Sequence, residues 1–217
     1  MTASDLTIEQ FVLSPKTIGA YVEVANQLLE QAPGAAETYI TMQASKDLAL
    51  LRDQYILRGT GSNGQPLGVL NDPDIGTFAI DDPVTYLQLL DALEDIAVAN
   101  AYVASCAWWM HPTMRLQALS APGASNIDVE RRSLSAGPDR MLLGHTTHQT
   151  TQFSASSNAN SMLFGDPAMI MVANYKGLEV AVSTEGRDAF EKDETHIRLI
   201  QRFDTHRIQP TAFTKSA

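Results

Sequence analysis

A single cysteine, Cys106, rules out any intrachain disulfide, so the fold must rest on its apolar core. At 217 residues the chain is long enough for that. Chains of this size bury roughly 70% of their unfolded surface without disulfide or metal. A reducing, cytoplasmic origin is the expectation. No apolar run approaches the ~20 residues of a membrane span, and Met1-Thr2-Ala3-Ser4-Asp5 has neither the basic start nor the apolar stretch of a signal peptide. Lys and Arg are missing altogether between Arg58 and Arg115, where Asp72, Asp74, Asp81, Asp82, Asp91, Glu94 and Asp95 all fall. With a net charge of −10, such a stretch repels phosphate and argues against sequence-specific nucleic-acid binding there. It reads as a well-solvated surface. Internal repeats and low-complexity linkers are lacking too.

What is present alternates between strand and helix signals. Residues 6–13 are β-prone, and Ile18 to Val24 form a second extended stretch leading to a short helix around Ala25–Glu30. Pro33-Gly34 opens a long helix to about Leu57, with the stripe Ile40, Ala44, Leu48, Leu51 and Tyr55 at helical spacing. Leu50 and Ile56 widen that stripe. Gly59 stands where a left-handed cap is expected. Asp82 is expected to cap the next helix, with Pro83 first inside it and Leu87, Leu90, Ile96 and Ala97 on its apolar face. Val103–Met110 reads as a buried strand, Pro112–Leu119 as a short helix, and 120–139, with Arg131 and Arg132, as loop. Met141–Gly144, Met162–Phe164, Ala168–Ala173 and Leu178–Ser183 read as strands, with a turn at Asn174–Gly177. The last long strand places Thr195, Ile197, Leu199, Gln201 and Phe203 on one face. His196, Arg198, Ile200 and Arg202 take the other.

Each motif that suggests chemistry has a plainer reading. The Gly-rich turn 59–64 is no phosphate loop, because it follows a helix and the next Lys is Lys176. His145 and His148 stand three apart without the further ligands a zinc site needs, so they read as a polar surface loop. Cys106, with His111 nearby, lies in an apolar run where burial disfavours the thiolate. No Ser occupies a Gly-x-Ser-x-Gly elbow. Asp81-Asp82 reads as capping, and at least one of Trp108 and Trp109 as core. Arg198 and Arg202 are either part of a half-exposed sheet or an intersubunit salt-bridge row. No catalytic residue, cofactor site or metal site is expected, and the fold class is α+β.

Several segments, in order, resemble the major capsid proteins of tailed bacteriophages, the Hong Kong 97-type capsid fold. Ser14–Val24 looks like the family's segment returning from its extended loop, and Asn26–Glu30 like the short helix before the spine helix. Arg58-Gly59-Thr60-Gly61 with Gln65-Pro66-Leu67-Gly68-Val69-Leu70 is the most recognisable piece. Trp108-Trp109-Met110-His111-Pro112 and Phe190 to Phe213 match a strand end and the terminal strand.

The resemblance implies a peripheral domain of residues 1–70 and 183–217, with a spine helix at about 34–57, and an axial domain of 71–182. It implies a structural subunit of a phage or prophage head that self-assembles into pentamers and hexamers of an icosahedral shell. The shell would enclose double-stranded DNA without sequence specificity, in the virion, after assembly in the bacterial cytoplasm. A scaffold or head-maturation protease would be a further partner. Arg198, Arg202, Arg131 and Arg132 are the expected intersubunit contacts, and the acidic stretch 72–95 would face the DNA. The family's arm and most of its loop would precede Ser14, where almost no chain stands. In members that crosslink their subunits, the Asn and the assisting Glu near the last strand would fall at Asp193 and Ile200, so no isopeptide chemistry is expected. The alternatives are an encapsulin-like compartment shell and a small hydrolase using His145 and His148.

Overall fold

The computed structural model describes residues 10–31, 34–101, 105–120, 141–155, 159–185 and 189–217. Arg131 and Arg132 lie outside them, as do 6–9 of the first β-prone run. Residues 10–15 are irregular rather than extended in a ladder. Side chains hold them: Phe11 stacks on His206 at 4.1 Å, and the Ser14 N–H donates to the Asp204 carboxylate at 2.8 Å. Pro15, with no N–H to give, stands just before the first strand.

That strand, β1 (Lys16–Ala25), alternates Ile18 and Val24 inward with Tyr21 and Glu23 outward. A short α1 (Asn26–Gln31) follows, then the 24-residue α2 (Ala35–Arg58). On α2, Ala44 and Leu48 are buried, with Ile40, Leu51, Tyr55 and Ile56 packed beside them. Leu50, expected to widen the stripe, is 54% exposed. Two residues on from Leu48 is about 200° round the helix, which turns it away.

The helix ends at Gly59, whose φ of −56° and ψ of 141° are extended, not left-handed. Glycine is needed there for closeness instead: a Cβ would stand 2.2 Å from the Pro66 carbonyl oxygen and 2.6 Å from that of Tyr55. The turn 59–68 folds back on the helix end, with a Thr60–Leu67 bridge and the Gly68 N–H donating to the Gly59 carbonyl at 2.8 Å.

Then come β2 (Gly76–Phe78), α3 (Tyr86–Val98), β3 (Ala107–Met110), α4 (Pro112–Ser120), β4 (Met141–Leu142), β5 (His145–Gln149) and β6 (Met162–Gly165). The chain continues with β7 (Ile170–Ser183), a one-turn α5 (Ala189–Lys192), β8 (Glu194–Arg207) and β9 (Phe213–Ser216). The cap of α3 is Thr85, not Asp82; Thr85 N–H donates to Gln88 Oε1 at 3.0 Å, and the Asp82–Pro83 peptide is cis. The buried face is also not the expected one, since Ile96 lies about 180° round the helix from Leu87. Leu89, Ala92 and Ile96 are buried, whereas Leu87, Leu90 and Ala97 face out.

Two sheets result. A three-stranded antiparallel sheet runs β1-β8-β7 and is covered on one face by α2. A six-stranded mixed sheet runs β2-β9-β6-β3-β5-β4. Its core holds Trp108, Phe164, Phe213, Met110 and Met114 beside Leu89 and Ile96, with the Trp108 ring 4.5 Å from Phe164. Each such burial contributes about 1.5–3 kcal/mol. The fold is α+β, as expected. Asn174–Gly177 is no turn: β7 runs through it, with register shifts against β8 between Asn174 and Glu179. An edge strand, free on one side, accommodates such bulges. All of β7 belongs to the three-stranded sheet and β9 to the six-stranded one.

Candidate assembly surface

Strand period 2 puts Arg198, Ile200 and Arg202 on the face of β8 turned away from α2. Register adds Tyr21 opposite Arg198 on β1, and Glu179 opposite Ile200 and Lys176 opposite Arg202 on β7. Arg198 and Arg202 are exposed, and neither makes an ion pair among the described residues. Lys176 Nζ lies 2.5 Å from Glu179 Oε2. The hydrogen bond from Lys176 holds the Glu179 carboxyl below the usual carboxylate range, and the charges of Lys176, Arg198 and Arg202 lower it further. Three cations around one carboxylate leave this half of the face positive.

His196 shares that face but not its exposure. It is buried, with Nδ1 2.5 Å from the Tyr21 hydroxyl, while Nε2 stands 3.9 Å from Glu194 Oε2. Tyr21 thus covers His196, while Arg198 and Arg202 of the same strand stay exposed.

His145–His148 is a strand, β5, not a surface loop. Pairing with β3 draws it in: His145 and Thr147 point to the core, and His148 points the opposite way. His145 Nδ1 lies 3.1 Å from the Cys106 carbonyl oxygen, and its ring meets Phe164 edge-on. His148 stacks on Trp109 at 5.7 Å. The histidines therefore do not converge. Among the described residues no three His, Cys, Asp or Glu side chains are grouped to hold a metal ion. Cys106 is buried, and Asp166 accepts from Ser105 Oγ and the Ala168 N–H, each at 3.0 Å. No described helix is long and apolar enough to cross a membrane.

A cleft of about 300 Å³ opens between α2 and the six-stranded sheet, lined by Asp53, Ile56, Leu57, Trp109, His148 and Leu163. Burial raises the Asp53 carboxyl, opposed by the charge of Arg52.

Sequence reasoning missed the junction of the two sheets. Asp72, read as solvated, is buried, and Arg207 Nε donates to its Oδ2 at 2.6 Å. Arg207 also donates to the Leu67 carbonyl at 2.7 Å. Lys215 Nζ donates to the Leu70 and Asp72 carbonyls at 2.8 and 2.9 Å. Burial lowers the Lys215 ammonium from its ordinary range, and Asp72 opposes that. No local pattern announces these partners.

The chain matches the family model of the phage capsid family over residues 1–216 and belongs to that family. It is 24% identical over 213 residues to the major capsid protein of Halomonas phage phiHAP-1. That alignment covers 97% of this chain and 33% of the phage protein, so the chain spans about a third of that relative's length. The fold matches the capsid of a native GTA particle, with a TM-score of 0.74 at 15% identity, covering 97% of this chain and 74% of that one. A Gordonia phage Cozz structure gives 0.70 at 11% identity, over 99% of this chain and 77% of that one.

Proposed function

We propose that this chain is a structural subunit of a phage or prophage head, acting in the virion by associating with copies of itself. The observation that carries this reading is the family match along nearly the whole chain. The likeness to phage and GTA capsids supports it at the level of fold. No comparison favours a compartment shell or a hydrolase. In this reading the fold is of the Hong Kong 97 type: α2 is the spine helix, the β1-β8-β7 sheet with α2 forms the peripheral domain, and the six-stranded sheet with α3 and α4 forms the axial domain. The peripheral part thus takes in all of β7, and the axial part takes in β9. Repeated rotation of one contact closes pentamers and hexamers, and these close an icosahedral shell. Arg198 and Arg202 serve as intersubunit contacts, and Arg131 and Arg132 are proposed on the resemblance alone. The enclosed partner is double-stranded DNA held without sequence readout, and a scaffold or head-maturation protease assists assembly. The role is mechanical rather than enzymatic.

Light scattering of the purified chain across concentration, with negative-stain images of the largest species, tests the reading. Rings of five or six, or closed shells, are expected. A monomer at every concentration overturns it.

A further inference from the structure

The cleft between α2 and the six-stranded sheet holds a carboxylate without a partner. Its walls are apolar, formed by Ile56, Leu57, Leu163 and Ile170. One side is the stacked pair of Trp109 and His148, with ring centres 5.7 Å apart and planes 23° from parallel. Asp53, an exposed residue of α2, brings its carboxyl to the rim. It makes no hydrogen bond or ion pair among the described residues. The two arginines of the same helix are engaged elsewhere. The Arg52 guanidinium lies 5.7 Å from the centre of the Phe203 ring, and Arg58 donates to the Gln152 carbonyl at 3.2 Å.

These features define a complement. Partial desolvation raises the Asp53 carboxyl, so its charged form is disfavoured, and a cation brought beside it restores that form. The face of an indole attracts cations as well, and apolar walls favour an uncharged body behind a cationic head. At about 300 Å³ the cleft lies at the small end of ligand sites. A single turn of helix, ~10 Å across and ~5.4 Å long, would overfill it. The occupant that fits is therefore one small molecule.

We infer that this cleft binds a small aromatic amine, its ammonium on Asp53 and its ring against Trp109 and the apolar walls. Stacking on His148 holds the indole in place, so the aromatic wall is set before the amine arrives. Asp53 comes from α2, Trp109 from β3 and His148 from β5, so only the fold brings the three together. The site goes beyond the shell-subunit reading and does not depend on it.

Calorimetric titration of the purified chain with the 2-phenylethylammonium ion tests it, with neutral 2-phenylethanol and ammonium chloride as controls. The amine should saturate one site, the alcohol should bind more weakly, and ammonium alone should not bind. Asp53→Asn should weaken the amine by about fivefold, a size set by the exposure of the carboxylate, and leave the alcohol unchanged. Trp109→Ala should weaken both ligands, whereas Trp109→Phe, which keeps an aromatic wall, should retain them. Saturating amine should also move the Asp53 carboxyl titration, read by NMR, to lower pH, and the alcohol should not. Circular dichroism confirms the fold of each variant. Absence of saturable binding, equal affinity for amine and alcohol, or amine affinity untouched by Asp53→Asn overturns the inference. Each of those results leaves the shell-subunit reading standing, since none of them measures assembly.

Discussion

Arg207 and Asp72, 135 residues apart, form a buried ion pair at 2.6 Å that ties the end of β8 to the chain entering the six-stranded sheet. The same guanidinium holds the Leu67 carbonyl, and Lys215 of β9 holds the Asp72 carbonyl. One cluster thus joins both sheets to the turn after α2. Its value lies in completeness, because a buried charge stripped of its partner costs far more than the pair contributes. Arg207→Ala should therefore lower unfolding stability by about 3–5 kcal/mol. The urea midpoint measures this, and a shift no larger than that of a surface Arg→Ala control would refute the structural role.

Gly59 gives a steric prediction. Gly59→Ala drives a methyl group into two backbone carbonyls that cannot both retreat without opening the turn 59–68. The expected loss is about 1–3 kcal/mol, the range for overpacking. Gly177→Ala, in β7, meets nothing within 4 Å and should leave the melting temperature near wild type. Calorimetry on the pair separates steric exclusion from a general effect of glycine replacement.

Much of this was legible in residue spacing. The period of α2 and the alternation of β8 gave the buried faces, and with them the exposure of Arg198 and Arg202. Features set by partners distant in sequence were not legible. Asp72 looks like its acidic neighbours until Arg207 arrives beside it. His145-Thr146-Thr147-His148 looks like loop until β3 draws it into the sheet. Asn174-Tyr175-Lys176-Gly177 has turn chemistry, but pairing with β8 keeps it extended around a bulge. The outward face of α3 was misread because Ile96 lies about 180° round the helix from Leu87, so the two cannot share a face, and packing took the side of Leu89, Ala92 and Ile96.

Trp108 and Trp109 provide a comparison between adjacent residues of one strand. Trp108 is fully buried between Phe164 and Phe78, so Trp108→Ala should cost about 3–5 kcal/mol. Trp109 is only partly buried, against His148 and the cleft, and Trp109→Ala should cost less. Chemical denaturation of both variants checks the order. Equal losses would mean that the two faces of β3 are packed alike.

Glu179 supplies the pH test. The hydrogen bond from Lys176 depresses its folded pKa, so any stability it contributes is fully present above the ordinary Glu range and is lost as pH falls through the depressed value. Carboxyl chemical shifts followed by NMR from pH 7 downward should show Glu179 protonating at lower pH than a glutamate in an unfolded peptide. Lys176→Ala removes the leading cause and should move its titration upward, while Arg198→Ala should move it less. Because the carboxylate is partly open to solvent, added salt should weaken the charge contribution and bring the titration back toward ordinary values. A Glu179 titration unchanged by Lys176→Ala would mean that the pair seen across the bulge does not persist in solution.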